Sequence, residues 1–457
     1  MMNFFKFNKA KRSKGKLAES KSYTAKELGL NTKSLPSGIL DICKTLQGAN
    51  YDAYLVGGCI RDWLMGKSPK DFDISTNATP EQVKRLFKRS RIIGRRFKIV
   101  HIYLNYREYI EIATFRATPE SENAHSQAVH SQNDKGRLVR DNVYGTIEED
   151  ATRRDFSANA LYYDPISTTV LDFTDGLAAI KNKELVVIGD PKTRFEEDPV
   201  RMLRALRFMA KLGFTISPKL AKLIKQNINL MRDVSNARMY DEIFKLFHHA
   251  HGVESWNKLR EYGLIEILFP LTSKSLNQQE AQPGNVDAFI KTALENTDRR
   301  VGQGKPVIPA FFFAVILWHS YLLKRNNRND LPKGRQATFI VADEIMLAQI
   351  PTIAIPKRVS GIVAEIWDMQ QTLEQRRPNQ ILKVLENKRF RASYDFLLLR
   401  QKIGEASEEI CQWWTKIQDV NEQTRLDLIE ALPKPKGKNN RRRRKPNKNR
   451  ANQTQTS

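Results

Sequence analysis

The sequence predicts an α+β protein in which a small sheet with helices is followed by a long, wholly helical region. Three observations carry this. Short apolar runs with strand character alternate with helical stretches up to about Asp164. From Glu196 to about Leu432 the pattern is helical almost throughout. Between Lys434 and Arg450 no core-forming residue remains. The length, 457 residues, suits about three domains.

In chain order, the first 34 residues are polar and basic and read as a flexible arm. Ala53 to Gly58, "AYLVGG", is a strand ending in a glycine pair, with a helix from Cys59 to Met65. "DFDIST", Asp71 to Thr76, is a second strand. Thr79 then caps a helix with Pro80 at its first position. Lys98 to Leu104 and Tyr109 to Phe115 form a hairpin. The polar segment from Pro119 to Asp150 reads as a mobile loop over a site.

Composition narrows the partners. Lys and Arg number 76 against 51 Asp and Glu, giving a net charge of +25, a field that attracts polyanions such as nucleic acid. Cys43, Cys59 and Cys411 show neither disulfide nor zinc spacing, which suits a reducing, cytoplasmic compartment. No continuous apolar stretch near the N-terminus reads as a signal peptide. The run from Ile308 to Leu323 holds Pro309, His319 and Ser320 and is shorter than the ~20 residues of a span, so it reads as a buried helix and not a transmembrane segment. His248, His249 and His251 lack the acids or cysteines of a zinc set.

The chemistry-bearing residues fall in the first half. Phosphoryl transfer from a nucleoside triphosphate needs divalent metal to neutralise charge, and Mg²⁺ takes one or two carboxylates plus substrate phosphates. Asp71 and Asp73, two apart on a strand, share one face and suit a two-metal site. Gly57 and Gly58 let backbone approach phosphates at a helix N-terminus, with Arg61 one turn on. Glu111 shares its strand face with Tyr109 and Ala113, opposite Ile110 and Ile112, and can be directed at the same metals. Arg154 suits phosphate or ribose, and Asp155, placed on one helix face with Asn159, suits a ribose hydroxyl or the metals. Arg201, Arg204 and Arg207 recur at every third position of a helix whose Asp198 is either an N-cap or one half of a base-reading pair with Arg201. Such a pair matches the donor–acceptor order of adenine and cytosine alike.

In order, "GGCIRD", "DFD", "RRDFSAN" and "EDPVR" resemble the signature set of the class II nucleotidyltransferases, which include bacterial poly(A) polymerases and CCA-adding tRNA nucleotidyltransferases. Longer stretches, "GKSPKDFDISTNATPEQVKRLF", "DNVYGTIEEDATRRDF" and "RFEEDPVRMLRALRFMAKLGF", are similar to the poly(A) polymerase branch. The resemblance runs from about Ile39 to beyond Arg400. It implies a mixed-sheet nucleotidyltransferase head over 35–164, a neck over 165–274, a helical body and leg over 275–432 and a disordered Arg/Lys-rich arm over 433–457. It implies that Asp71 and Asp73 hold Mg²⁺, that Arg154 and Asp155 meet the ribose, that Asp198 and Arg201 read adenine, and that Arg238 and Glu242 brace the neck helix. ATP is the implied substrate and RNA 3′ ends the implied acceptor, with RNA-decay proteins as further partners. Cys59 stands where many relatives carry a third glycine. Glu111 and Asp155 both stay open as the third essential acid. A CCA-adding enzyme and a non-catalytic RNA-binding protein on the same fold are the rival readings.

The C-terminal arm generates a first prediction. Between Lys434 and Arg450 it carries ten cations, among them Arg441, Arg442, Arg443, Arg444 and Lys445, and no acid. Truncation after Pro433 should weaken RNA binding and flatten its salt dependence. Each phosphate that the arm no longer neutralises lowers the log–log slope by about 0.7 on single strands. Equal slopes across a salt series, with thermal melting as the folding control, would show that the arm does not touch RNA.

Overall fold

The computed structural model describes residues 20–69, 71–94, 98–105, 108–117, 131–132, 138–140, 143–278 and 285–433. The chain forms two compact units. The first comprises 1–274 with 294–309 and 346–355, and the second 275–293, 310–345 and 356–457.

The first unit is built on an eight-stranded sheet. Its strands are β1 (Lys21–Thr24), β2 (Tyr54–Val56), β3 (Asp73–Thr76), β4 (Ser90–Ile93), β5 (Ile99–Tyr103), β6 (Tyr109–Thr114), β9 (Leu161–Asp164) and β10 (Thr169–Asp172), in the order β1-β10-β9-β2-β3-β6-β5-β4. The remaining two, β7 (Ser131–Gln132) and β8 (Leu138–Arg140), pair only with each other. Every neighbour in the main sheet is antiparallel except β3 and β6, which run parallel with Asp73 opposite Glu111.

Alternation decides what each face does. Leu55, Ile74, Val100, Ile102, Ile110, Ile112 and Tyr163 point to one face, where helices α1 (Ser37–Gly48), α2 (Gly58–Leu64) and α3 (Pro80–Leu86) supply Ile39, Ile42, Leu46, Ile60 and Val83 to a single core. The start of α3 is locked by a capping box in which Thr79 and Gln82 bond reciprocally, with Pro80 at the first position. The other face is covered over β2 and β9 by the helix Ile147–Thr152, whose Ala151 packs with Val56, Phe115, Tyr162 and Phe173. Asp73 and Glu111 lie on this same face.

Several expectations need correcting. Residues 20–34 are not a free arm, because β1 pairs with β10 and Ala25 and Leu30 are buried in the core. The sheet does not end at Asp164 but continues through β10, which doubles back on β9. Part of the anticipated loop is ordered: Thr146 caps the helix Ile147–Thr152 through a second capping box with Glu149. Residues 118–130, 133–137 and 141–142 of that loop lie outside the described residues, as do residues 1–19 and the C-terminal arm with Arg441 to Lys445. The apolar run near Ile308 forms two helices, Pro309–Ile316 and Trp318–Asn326, rather than one. Among the described residues no helix is long and apolar enough to cross a membrane.

In the first unit the helices Pro191–Glu197, Val200–Leu212, Pro218–Asn227 and Asn236–Phe247 follow the sheet. The second unit is helical. Tyr321 stacks on Trp367 at 4.6 Å between ring centroids, and the Trp367 indole donates to the Ala314 carbonyl at 3.0 Å. A buried carboxylate there is fully engaged: Glu405 accepts from the Trp318 indole at 2.9 Å and meets His319 Nε2 at 2.7 Å, so its burial carries no unpaired charge.

Candidate active site

Two carboxylates meet because β3 and β6 pair in register. Asp73 opens β3 at an exposed position, and Glu111 stands directly opposite on β6. Asp71 lies just ahead of the strand rather than on it, so it joins the pair from the incoming loop and not by strand alternation. Although water reaches its surface, Asp73 sits in a crowded hollow. Loss of hydration, then the Glu111 charge and, more weakly, Asp71 push its carboxyl up to about 6 against the pull of Arg154. Burial raises Glu111 as well, opposed by Arg116. His101, opposite Glu111 on β5, lies 3.8 Å from its carboxylate and is held toward the neutral form by burial.

These residues fit Mg²⁺ by the chemistry of the donor set. They are hard oxygens, and their mutual repulsion is what a divalent cation relieves. Among the described residues no three His, Cys, Asp or Glu side chains converge closely enough to hold a metal by themselves. Mg²⁺ binding through one or two carboxylates, with phosphates completing the shell, does not require such a set.

On the other side of Asp73, β2 runs into the glycine pair. Gly57 has φ +80°, and a Cβ there would lie 3.5 Å from Arg154 Nη1. The positive φ is what calls for glycine here, since the guanidinium would stand in ordinary contact with a Cβ. Arg154 is held from three directions: Nε donates to the Tyr162 hydroxyl at 2.9 Å, and Nη2 to Asp150 at 2.9 Å and to Ser75 at 3.3 Å. Arg61, expected to reach phosphate, is instead only 2% exposed, bonded to Asp62 at 2.6 Å and to Asn159 at 2.5 Å, and it braces the turn from behind. Cys59, where a glycine was expected, is buried and donates to the Val56 carbonyl at 3.3 Å.

The "RRD" stretch is not a helix. Arg154 and Asp155 lie in a bend, and Asn159 ends the short turn Ser157–Asn159, so Asp155 and Asn159 do not share a helix face. Asp155 is held by two arginines. It accepts from Arg201 Nε at 2.9 Å and pairs with Arg204 at 2.9 Å, and although burial works to raise it, Arg204 and Arg201 keep its pKa low. Of the two acids left open by the sequence, the structure brings Glu111 to Asp73 and commits Asp155 to arginines.

Asp198 and Arg201, expected to act as a pair, lie close enough to sense each other's charge, but their side chains bond to other groups. Asp198 accepts two bonds from Arg238, at 2.9 and 2.7 Å, while Arg201 is 9% exposed and donates to Asp155, Glu197 and the Arg194 carbonyl. Arg207 lies over the Phe208 ring at 4.9 Å, and Glu242, bonded to Lys245 at 3.0 Å, offsets part of the charge around it. Arg153, Arg154, Arg204 and Arg238 keep part of their side chains in contact with solvent. Burial lowers His248 to about 4 and also lowers His249 and His251.

Asp150 and Arg194 were missed in the sequence. Asp150 is buried, which alone would raise it, yet Arg154 and Arg153 hold it well below the usual carboxylate range. Arg194 donates to the carbonyls of both Arg153 and Arg154 and fixes the bend. The spacing of Asp150 three and four residues before two arginines was the available signal.

In metal-free protein, Asp73 should therefore titrate near 6. Acidification through that value protonates a ligand, so divalent-metal affinity should fall with it. Removing a negative neighbour favours the ionised form, so Glu111→Gln should lower the Asp73 value, and added Mg²⁺ should lower it in wild type. Carbon-13 NMR of labelled aspartate carboxyls reads both shifts. A titration unmoved by Glu111→Gln would mean that the two carboxylates do not sense each other.

Three family models match in succession: poly A polymerase head domain over residues 53–186, probable RNA and SrmB-binding site of polymerase A over 213–276, and polymerase A arginine-rich C-terminus over 332–449. The chain is 39% identical over 423 residues to poly(A) polymerase I of Haemophilus influenzae, covering 91% of this chain and 92% of that one. It is 38% identical over 205 residues to a CCA-adding enzyme of Levilactobacillus brevis, covering 45% of this chain and 48% of that one. The fold matches the crystal structure of the Bacillus stearothermophilus CCA-adding enzyme in complex with CTP, with a TM-score of 0.54 at 22% identity over 87% of this chain and 88% of that one. Similarity of this extent to poly(A) polymerase I, together with three matching polymerase segments, shows that the chain belongs to the poly(A) polymerase family of nucleotidyltransferases.

Proposed function

We propose that this enzyme adds AMP from ATP to RNA 3′ ends without a template. The observation that carries the reading is the pair Asp73 and Glu111, in register and flanked on the β2 side by the Gly57 turn and the clamped Arg154. The RNA 3′-oxygen attacks the α-phosphorus, the bond to the bridging oxygen breaks, and pyrophosphate leaves. Asp71 and Asp73 would hold Mg²⁺, with Glu111 adding its charge beside them, and the metal would neutralise charge on the transferring phosphate. Backbone at Gly57 and Gly58 admits the triphosphate, and Arg154, fixed before substrate arrives, meets its charge or the adjoining ribose. Preorganised charge of this kind costs no rearrangement during reaction.

Base choice is proposed to lie in the neck at Asp198 and Arg201. The carboxylate accepts from an exocyclic amine once Arg238 has set its plane, and Arg201 is steadied by Asp155 and Glu197. This arrangement suits adenine and cytosine alike, so the acceptor and the tail distinguish the activities. A-only tails on a generic RNA support the proposal, whereas CCA additions confined to tRNA support the rival activity. In the cell we place the enzyme in cytoplasmic RNA decay and processing, alongside other RNA-decay proteins. Its three cysteines are buried and unpaired, as a reducing compartment permits.

Asp71→Asn and Asp73→Asn, made singly, should each lower nucleotide addition by at least about a hundredfold while leaving RNA affinity and melting unchanged. Retention of a tenth of the wild-type rate, by order of magnitude, would exclude a metal-holding role. Arg238→Ala should lower the preference for ATP over UTP about tenfold, the scale of one directional base contact, with the KM for RNA unchanged. An intact preference would leave Arg238 and Asp198 as structural partners only.

A further inference from the structure

The open part of the site face carries a row of residues that the carboxylate chemistry does not use. Register places Arg91 on β4 opposite His101 on β5, His101 opposite Glu111 on β6, and Glu111 opposite Asp73 on β3. Residues opposite one another in a ladder share a face, so this row runs from the catalytic carboxylates to the edge of the sheet. Two residues along, Tyr103 and Tyr109 face each other and repeat the pattern. The backbone carbonyl of Arg89 accepts from Tyr103 N–H at 2.9 Å, which brings a second arginine to the same edge.

The aromatic rings form a continuous surface. Tyr109 stacks on His101 at 4.1 Å with planes 11° apart, and Tyr103 meets Tyr109 at 6.1 Å and 62°. Both tyrosines are exposed, at 36% and 49% for Tyr103 and Tyr109, although Ile102 and Ile110 beside them are buried on the opposite face. Cross-strand pairing explains why the rings touch. It does not explain an apolar surface left in water roughly 7 Å along the strand from Glu111. At the sheet edge, Lys88, Arg89 and Arg91 are exposed, and Arg89 and Arg91 make no side-chain hydrogen bond or ion pair among the described residues.

The geometry points to a platform for the 3′-terminal stretch of single-stranded RNA, with bases on Tyr109 and Tyr103 and backbone phosphates on Arg89 and Arg91. Stacking rings interleaved with cations are the chemistry that holds single strands without reading sequence. The direction follows from the reaction. Attacking and leaving oxygens lie roughly in line across the transferred phosphorus. The triphosphate turn, Gly57 with Arg154, is on the β2 side of Asp73, so the acceptor enters from the β6 side, where the aromatic rings lie. Uncharged, sequence-tolerant stacking also suits an acceptor whose end is renewed after every addition.

This assignment rests on the proposed activity, and its test separates the two. The full-length double variant Tyr103→Ala/Tyr109→Ala should raise the KM for a short oligoadenylate about tenfold or more, with the KM for ATP unchanged. Tyr103→Phe/Tyr109→Phe should restore the wild-type value, because stacking needs the ring and not the hydroxyl. Independently of turnover, an oligoadenylate ending in 2-aminopurine, bound without ATP, should be quenched by the wild type and the Phe variant but not by the Ala variant. Unchanged quenching and RNA KM in the Ala variant overturn the platform. A rise in the KM for ATP alone overturns the RNA assignment in favour of the incoming nucleotide. Wild-type protein that quenches the probe yet adds no AMP to it upholds the platform and sinks the proposed activity.

Discussion

One parallel pairing in an otherwise antiparallel sheet sets the chemistry of the head. Because β3 and β6 run together with Asp73 opposite Glu111, two carboxylates from segments far apart in sequence face the same hollow. The register is enforced from behind. Ile74, Ile110 and Ile112 belong to the core on the far face, and a slip of one residue would drive the glutamate into that core and the isoleucines into water. The site therefore takes its precision from packing it does not touch. The crowding that results, visible in the raised Asp73, leaves a negative hollow that favours a cation.

Around this hollow, acids are spent on orienting arginines. Asp62 holds Arg61, Asp150 holds Arg153 and Arg154, Asp155 holds Arg201 and Arg204, and Asp198 holds Arg238. A long cationic side chain left free would have to be ordered on each encounter with substrate. Pairing it beforehand moves that ordering into folding. Buried pairs of this kind are poor sources of stability once desolvation is counted, so position is the better account of why Asp150 sits where it does. The net charge of +25 acts differently, through exposed cations such as Lys88, Arg89 and Arg91.

Much of this was legible in the sequence, and the gaps have physical causes. Alternation marked β5 and β6 and placed Glu111 opposite the isoleucines, while Thr79 and Pro80 marked the start of α3. Local pattern carries no information on which distant carboxylate meets which arginine. Asp155 beside Asn159 looked helical by spacing, but Arg194 captures the preceding carbonyls and bends the chain. Asp198 looked like a cap because Pro199 follows it, and it does accept from the Val200 N–H at 3.3 Å, but its two shorter bonds come from Arg238, 40 residues on. Lys21–Thr24 is too polar to announce a strand and is recruited by the exposed edge of β10. Asp150 lay in a stretch whose polar composition disguised a capped helix.

Cys59 adds a property of the site that concerns neither metal nor RNA. Its sulfur sits beside the Gly57 turn, sealed from solvent and bonded to the Val56 carbonyl, and burial pushes the thiol up to about 12. At neutral pH almost none of it is thiolate, the form that oxidants and alkylating agents attack. Cys43, raised to about 12 by burial, is equally protected. The turn is thus lined by a residue that fills space as a small apolar group while remaining chemically silent. Oxidants would leave the Gly57 turn intact, and thiol-directed reagents would find no foothold at Cys59.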